Sequence, residues 1–217
     1  MKNPIWGYDV PYLLSELGST GYWDPFLKSQ MGCILEETDE EKSKCIKKLF
    51  TEYKQDETII GSYVFYWGQK QECTPTWFSL FGKNGEYTPM LHEIKNQWID
   101  ETSKSIIPKI KNFNFKNNIN KTKFLYPSTK YILNYSIENK GNNSLNISLE
   151  LLPEETIKKN IFGNEIQHKP INIDYKILEN EIHFTTPVID GKMRLFLYVK
   201  DNKNNITSRN LVFFTRN

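Results

Sequence analysis

From residue 131 onward, apolar side chains return at every second position: Tyr131, Leu133, Tyr135 and Ile137, then Leu145, Ile147, Leu149 and Leu151, Ile171, Ile173, Tyr175 and Ile177, and Met193, Leu195, Leu197 and Val199. Successive side chains of a strand point to opposite faces, so a period of two predicts strands with one dry and one wet face and is incompatible with helices. Residues 110–115, 182–185 and 211–214 add further β-favouring runs, and turn clusters such as Lys140-Gly-Asn-Asn143 and Asp190-Gly191 separate them. About seven strands at this spacing predict an immunoglobulin-like β-sandwich over residues 105–217.

The first hundred residues are patterned differently. Tyr12-Leu-Leu-Ser-Glu16-Leu-Gly18 is a short apolar run ending on a lone carboxylate, and residues 58–67 form a nearly unbroken β-favouring run interrupted by Gly61 and Ser62. Continuous apolar runs predict strands buried on both faces. Between them, Thr38-Asp-Glu-Glu41 has the capping-box pattern of a helix start, and Cys45, Ile46, Leu49, Phe50 and Tyr53 follow at helical spacing. Strand, helix, strand predicts a crossover unit with two parallel neighbouring strands. Asn84-Gly85 predicts a tight turn, and Thr88-Pro89 predicts an N-cap and first helical residue before the stripe Leu91, Ile94, Trp98. The irregular stretch 19–37 is long for a compact unit, which is more common for functional loops.

Charge divides the chain at the same place. Residues 1–100 hold 10 basic and 15 acidic side chains and residues 101–217 hold 18 and 11, for net charges of −5 and +7. With the onset of Asn- and Lys-rich sequence after Asp100, this predicts two domains, 1–104 and 105–217. The basic part has no helical Lys/Arg stripe and no aromatic-basic ribonucleoprotein motif, so no nucleic-acid partner is expected. No apolar segment approaches the roughly 20 residues of a membrane span, and the first residues lack the basic start and apolar centre of a signal peptide. A soluble protein is expected. Cys33, Cys45 and Cys73 are odd in number and unevenly spaced, so they predict free thiols, and neither a metal nor a cofactor is expected. Asp201-Asn-Lys-Asn-Asn205 has oxygen ligands for calcium but fits a hairpin turn better.

Three segments carry a family likeness: Leu14-Ser-Glu16-Leu-Gly18, Gly61-Ser-Tyr-Val-Phe-Tyr-Trp-Gly-Gln-Lys-Gln-Glu72 and Thr74-Pro-Thr-Trp-Phe78. Together they resemble the end of the catalytic barrel of glycoside hydrolases similar to family 2, within the retaining superfamily built on (β/α)8 barrels. The resemblance implies that residues 1–104 are the last two β/α units of such a barrel, with Glu16 closing the seventh strand as nucleophile and Trp67 closing the eighth as a sugar-binding wall. It departs from the pattern at Leu17, where relatives often carry an aromatic residue. Leu149-Glu-Leu-Leu-Pro-Glu154, Arg194-Leu-Phe-Leu-Tyr-Val-Lys-Asp201 and Leu211-Val-Phe-Phe214 resemble, more weakly, the accessory sandwich that follows such barrels.

Retaining hydrolysis needs a nucleophilic carboxylate and a second, acidic one about 5 to 5.5 Å away. The resemblance places that acid on an earlier strand, which this chain does not supply. The chain therefore reads as the C-terminal portion of a larger enzyme, inactive alone, with carbohydrate and the missing N-terminal barrel half as expected partners. Trp23 and Trp77 are further candidates for stacking on sugar, although packing explains them equally well, and Gln69, Lys70 and Glu72 are candidates for hydrogen bonds to hydroxyls. A second reading stands beside the first: a non-enzymatic carbohydrate-binding or interaction module.

Overall fold

The computed structural model describes residues 10–23, 28–29, 32–99, 107–116, 124–154 and 159–216. The predicted domain boundary at residues 104 and 105 lies outside them. In chain order the elements are β1 (Tyr12–Leu17), α1 (Asp39–Tyr53), β2 (Ile59–Val64), α2 (Pro89–Ile99), β3 (Lys109–Phe115), β4 (Phe124–Leu125), β5 (Lys130–Glu138), β6 (Leu145–Pro153), β7 (Tyr175–Ile177), β8 (Glu181–Thr185), β9 (Gly191–Asp201) and β10 (Ile206–Thr215).

β1 and β2 pair in parallel, joined through α1. Thr38 caps α1 as its sequence predicts: its hydroxyl accepts from Glu41 N and the Glu41 carboxylate accepts from Thr38 N at 2.7 Å. Thr38 thereby satisfies donors that a helix start leaves unpaired. Asp39, Lys42, Ile46 and Phe50 form the buried stripe of α1, charged at its start and apolar toward its end. The apolar end packs with Leu17, Leu80, Met90 and Ile94 in one small core.

The remaining strands form two four-stranded sheets, β4-β10-β9-β6 and β3-β5-β8-β7, antiparallel except that β4 runs parallel to β10. Their facing sides share a core built from Phe113, Phe115, Leu133, Phe184, Leu151, Leu195, Leu197, Val199 and Phe213. At about 25 cal/mol per Å² of apolar surface removed from water, side chains of this size supply roughly 1.5–3 kcal/mol each, so this is the main source of stability.

Two expectations are corrected. The chain is not the last two units of a (β/α)8 barrel followed by an immunoglobulin-like domain: the described residues hold two helices and three sheets, and the parallel sheet stops at two strands. The barrel reading required strands buried on both faces. Instead Leu13, Ser15 and Glu16 on β1 and Ile60 and Tyr63 on β2 are exposed. The second correction concerns β9, whose alternation predicts one wet face. Met193 through Leu197 are all buried, because the outward side chains Arg194 and Phe196 lie beneath segment 34–75 of the first half.

A buried ionic network makes that second face possible. Lys42 Nζ donates to Glu36 Oε1 at 2.5 Å and to the Thr76 carbonyl at 2.8 Å. Thr76 Oγ1 donates to Glu36 Oε1 at 2.7 Å, and Thr74 Oγ1 and Asn210 Nδ2 donate to Oε2 at 2.8 and 2.7 Å. Arg194 binds both oxygens of Glu154, the Asn210 side-chain oxygen and the Ile34 carbonyl. Asp39 accepts from Ser208 N at 2.6 Å. Burial alone would raise the Glu36 pKa, but Lys42 and Arg194 outweigh it and hold the carboxyl below its ordinary value. For Asp39 burial prevails over Lys42 and Ser208, and its pKa rises. Further out, Glu86 receives Lys200 Nζ at 2.9 Å and Asn84 N at 2.9 Å. Its burial favours the neutral acid, yet these donors bring its pKa down to about 2.

Removing one partner of a buried pair strands the other's charge, which costs about 3–5 kcal/mol. Lys42→Met and Glu36→Ala are each expected to lose stability on that scale in urea denaturation. The double variant should lose less than the sum, as a double-mutant cycle measures. Glu86 has a folded pKa of about 2 against an ordinary 4.5, so its contribution is complete above pH 4.5 and disappears as the pH falls toward 2. Because Lys200 is partly exposed, the loss is on the order of 1–2 kcal/mol, seen as an acid shift in the melting curve of the native chain that Glu86→Gln lacks.

Candidate functional site

The residues predicted to form a site are not gathered in one place. Glu16 is exposed on β1 beside a register shift between Leu14 and Leu17, and makes no hydrogen bond or ion pair among the described residues. Trp67, 56% exposed, stacks on Trp98 with ring centroids 5.9 Å apart and meets the Phe81 ring edge at 5.3 Å. Trp23 is 74% exposed and lies against Tyr22 and Phe78. Trp77 is wholly buried, its Nε1 donating to the Thr20 carbonyl at 2.9 Å, so its ring has no free face for a ligand. Lys70 pairs with Glu72 and lies over the Phe65 and Tyr66 rings.

Of the predicted residues, Gln69 alone lines a cleft of about 560 Å³ between the two halves. One wall is segment 69–88, contributing Gln69, Phe81, Asn84 and Glu86. The other is the outer side of the sheet, with Asn146, Ser148 and Glu150 from β6 and Tyr198 and Lys200 from β9, joined by Gln167 and Asn172 from the connection after β6 and Tyr175 at the start of β7. The geometry follows from the alternation of β6 and β9: odd-numbered residues enter the sandwich core, so even-numbered ones face the first half. Gly82 also lines the cleft, and a Cβ there would fall 2.5 Å from Glu86 Oε2, so glycine lets the loop close over that carboxylate.

The carboxylates in the cleft have partners within the protein. Glu86 pairs with Lys200, and Glu150 accepts the Tyr198 hydroxyl at 3.2 Å. Burial and then Glu150 push Tyr198 well above the ordinary tyrosine value, so the phenol stays a neutral donor. Gln69 Nε2 donates to the Pro75 carbonyl at 3.2 Å, leaving its oxygen as an acceptor. The cleft therefore presents amides, hydroxyls and aromatic rings, together with the exposed Lys83, which makes no ion pair among the described residues. Behind it, Arg194, Glu154, Cys73 and Gln71 border a void of about 40 Å³, room for a water. Cys73 is pushed up to about 12 by burial, so its thiol is protonated and is not a nucleophile. Among the described residues no cluster of three His, Cys, Asp or Glu could hold a metal, and no helix is long and apolar enough to cross a membrane.

The cleft was missed in the sequence because its residues come from segments far apart in the chain, from Asp39 to Ser208, and no single motif joins them. Its one readable sign was the even-numbered polar series Asn146, Ser148, Glu150 facing Tyr198 and Lys200.

No protein family and no curated protein matches the chain. Solved structures similar to part of it include the following two. A conjugate transposon protein from Bacteroides vulgatus has 12% identity over 52% of this chain and 89% of that chain, with a TM-score of 0.30. A lipoprotein from Bacteroides thetaiotaomicron has 11% identity over 54% of this chain and 85% of that one, also with a TM-score of 0.30. Likeness at this level carries neither fold nor function. The resemblance to glycoside hydrolases is thus not upheld, and the roles it implied for Glu16 and Trp67 lose that support.

Proposed function

We propose that the protein is a non-enzymatic carbohydrate-binding module, with the cleft between its halves as the binding site. The observation that carries this reading is the character of the cleft wall: rings at Phe81, Tyr175 and Tyr198 beside side-chain amides at Gln69, Asn84, Asn146, Gln167 and Asn172, with the carboxylates and Lys200 already engaged. Aromatic faces cover the apolar face of a sugar ring, while amides both donate to and accept from hydroxyls. A volume of about 560 Å³ falls in the range of small-molecule sites and accommodates a short oligosaccharide. A neutral ligand suits the wall around Glu86, Lys200 and Glu150 best, because an ionic one there would compete with contacts the protein has already formed.

The test is isothermal titration of the full chain with a panel of neutral and of acidic oligosaccharides. Neutral glycans are expected to bind and acidic ones to bind more weakly. Asn146→Ala and Asn172→Ala, both at exposed positions, should each weaken binding about fivefold, the equivalent of one hydrogen bond of about 1 kcal/mol, without changing the melting temperature. Absence of binding across the panel, or binding indifferent to both substitutions, would overturn the assignment.

A further inference from the structure

A hairpin that precedes the cleft-lining residues Gln167 and Asn172 in the chain holds two large apolar side chains in water. Lys159 and Glu165 form an isolated antiparallel bridge, and the tip between them carries Ile161 at 93% and Phe162 at 81% exposure. The tip is built rather than loose. Asn160 Oδ1 accepts from Phe162 N at 2.9 Å and Asn164 N at 3.1 Å, Asn160 N donates to the Asn164 carbonyl at 2.8 Å, and Gly163 takes the positive φ of 78° that the turn requires. At its base, Glu165 accepts from Tyr22 Oη at 3.1 Å and from Cys73 N at 2.6 Å, which ties the hairpin to the first half. Ordering a turn around two residues that bury nothing within the chain is unfavourable unless something outside receives them.

Charge identifies the receiver. Between residues 159 and 169 the one acidic side chain is Glu165, and both its oxygens are spent on Tyr22 and Cys73. Lys159 and Lys169 are exposed and make no ion pair among the described residues. An apolar point flanked by free cations, small beside the roughly 800 Å² per partner of a stable protein interface, matches a bilayer surface: side chains enter the acyl boundary while lysines meet anionic headgroups. We infer that the 159–165 hairpin is a docking finger for anionic phospholipid surfaces. This inference is independent of the carbohydrate reading, and its test is run without sugar.

The full chain is sedimented with vesicles of phosphatidylcholine alone or of phosphatidylcholine with phosphatidylserine. The native protein is expected to pellet with the phosphatidylserine vesicles, and less so at high salt. I161S/F162S should partition at least about tenfold more weakly, with an unchanged melting curve because neither side chain packs within the fold. K159Q/K169Q should lose the preference for phosphatidylserine and the salt dependence. A native protein that stays in the supernatant with both vesicles, or an I161S/F162S variant that pellets like the native one, would overturn the proposal. So would tip-dependent self-association in light scattering without vesicle binding, which would assign the finger to a protein contact.

Discussion

The rest of the structure depends on a carboxylate, Glu36, that has almost no contact with water. It accepts from Lys42 on α1, from Thr74 and Thr76 on the segment after β2, and from Asn210 on β10. Three segments, α1, residues 74–76 and β10, therefore meet at one side chain. An unpaired charge in such a place is prohibitive, whereas a fully satisfied one is tolerated only in a single arrangement. Apolar contacts between α1 and the sheet permit sliding; the geometry around Glu36 and the bidentate grip of Arg194 on Glu154 do not. Ion pairs of this kind are weak evidence of extra stability compared with a hydrophobic replacement. Their effect here is to fix which face of the sheet meets which side of α1.

The sheet β4-β10-β9-β6 is consequently an interior layer, covered by the second sheet on one side and by the first half on the other. Parallel sheets usually have both faces covered in this way, whereas antiparallel ones often leave one face wet. Here the assignment is exchanged: the antiparallel sheet is covered twice, and the short parallel pair β1 and β2 leaves Leu13, Ile60 and Tyr63 exposed. The exchange explains how local patterns read correctly could be assembled into the wrong architecture.

Local features were legible because local residues decide them. The Thr38 to Glu41 box, the Asn84-Gly85 turn with Gly85 at a φ of 82°, and the inward series Met193, Leu195, Leu197 and Val199 all occur where the sequence places them. Features decided by distant residues were not. Nothing local marks Arg194 or Lys42 as buried, and only their partners, 40 and 6 residues away in the case of Glu154 and Glu36, make their burial possible. Phe196 next to Arg194 was a usable sign, since an aromatic residue on the supposed wet face of β9 needs cover. For Trp77 the sequence left packing and ligand contact open, and its ring is buried with Nε1 donating to the Thr20 carbonyl. Gln69 was selected for lying in a polar loop, and its place in the cleft wall depends on a sheet more than 70 residues later.

The cleft has no wall of its own. Segment 69–88 supplies one side and the β6–β9 sheet the other, so its width is the spacing between two halves held by Glu36, Arg194 and Glu86. Whatever occupies such a space is bound by both halves or by neither. Occupancy and cohesion of the two halves are then linked quantities: an occupant at a hundred times its dissociation constant adds about 2.7 kcal/mol against separation of the halves, as much as a well-formed ion pair. By reciprocity, a change at the buried carboxylate that loosens the halves weakens occupancy by the same factor, although Glu36 itself lies outside the lining of the cleft.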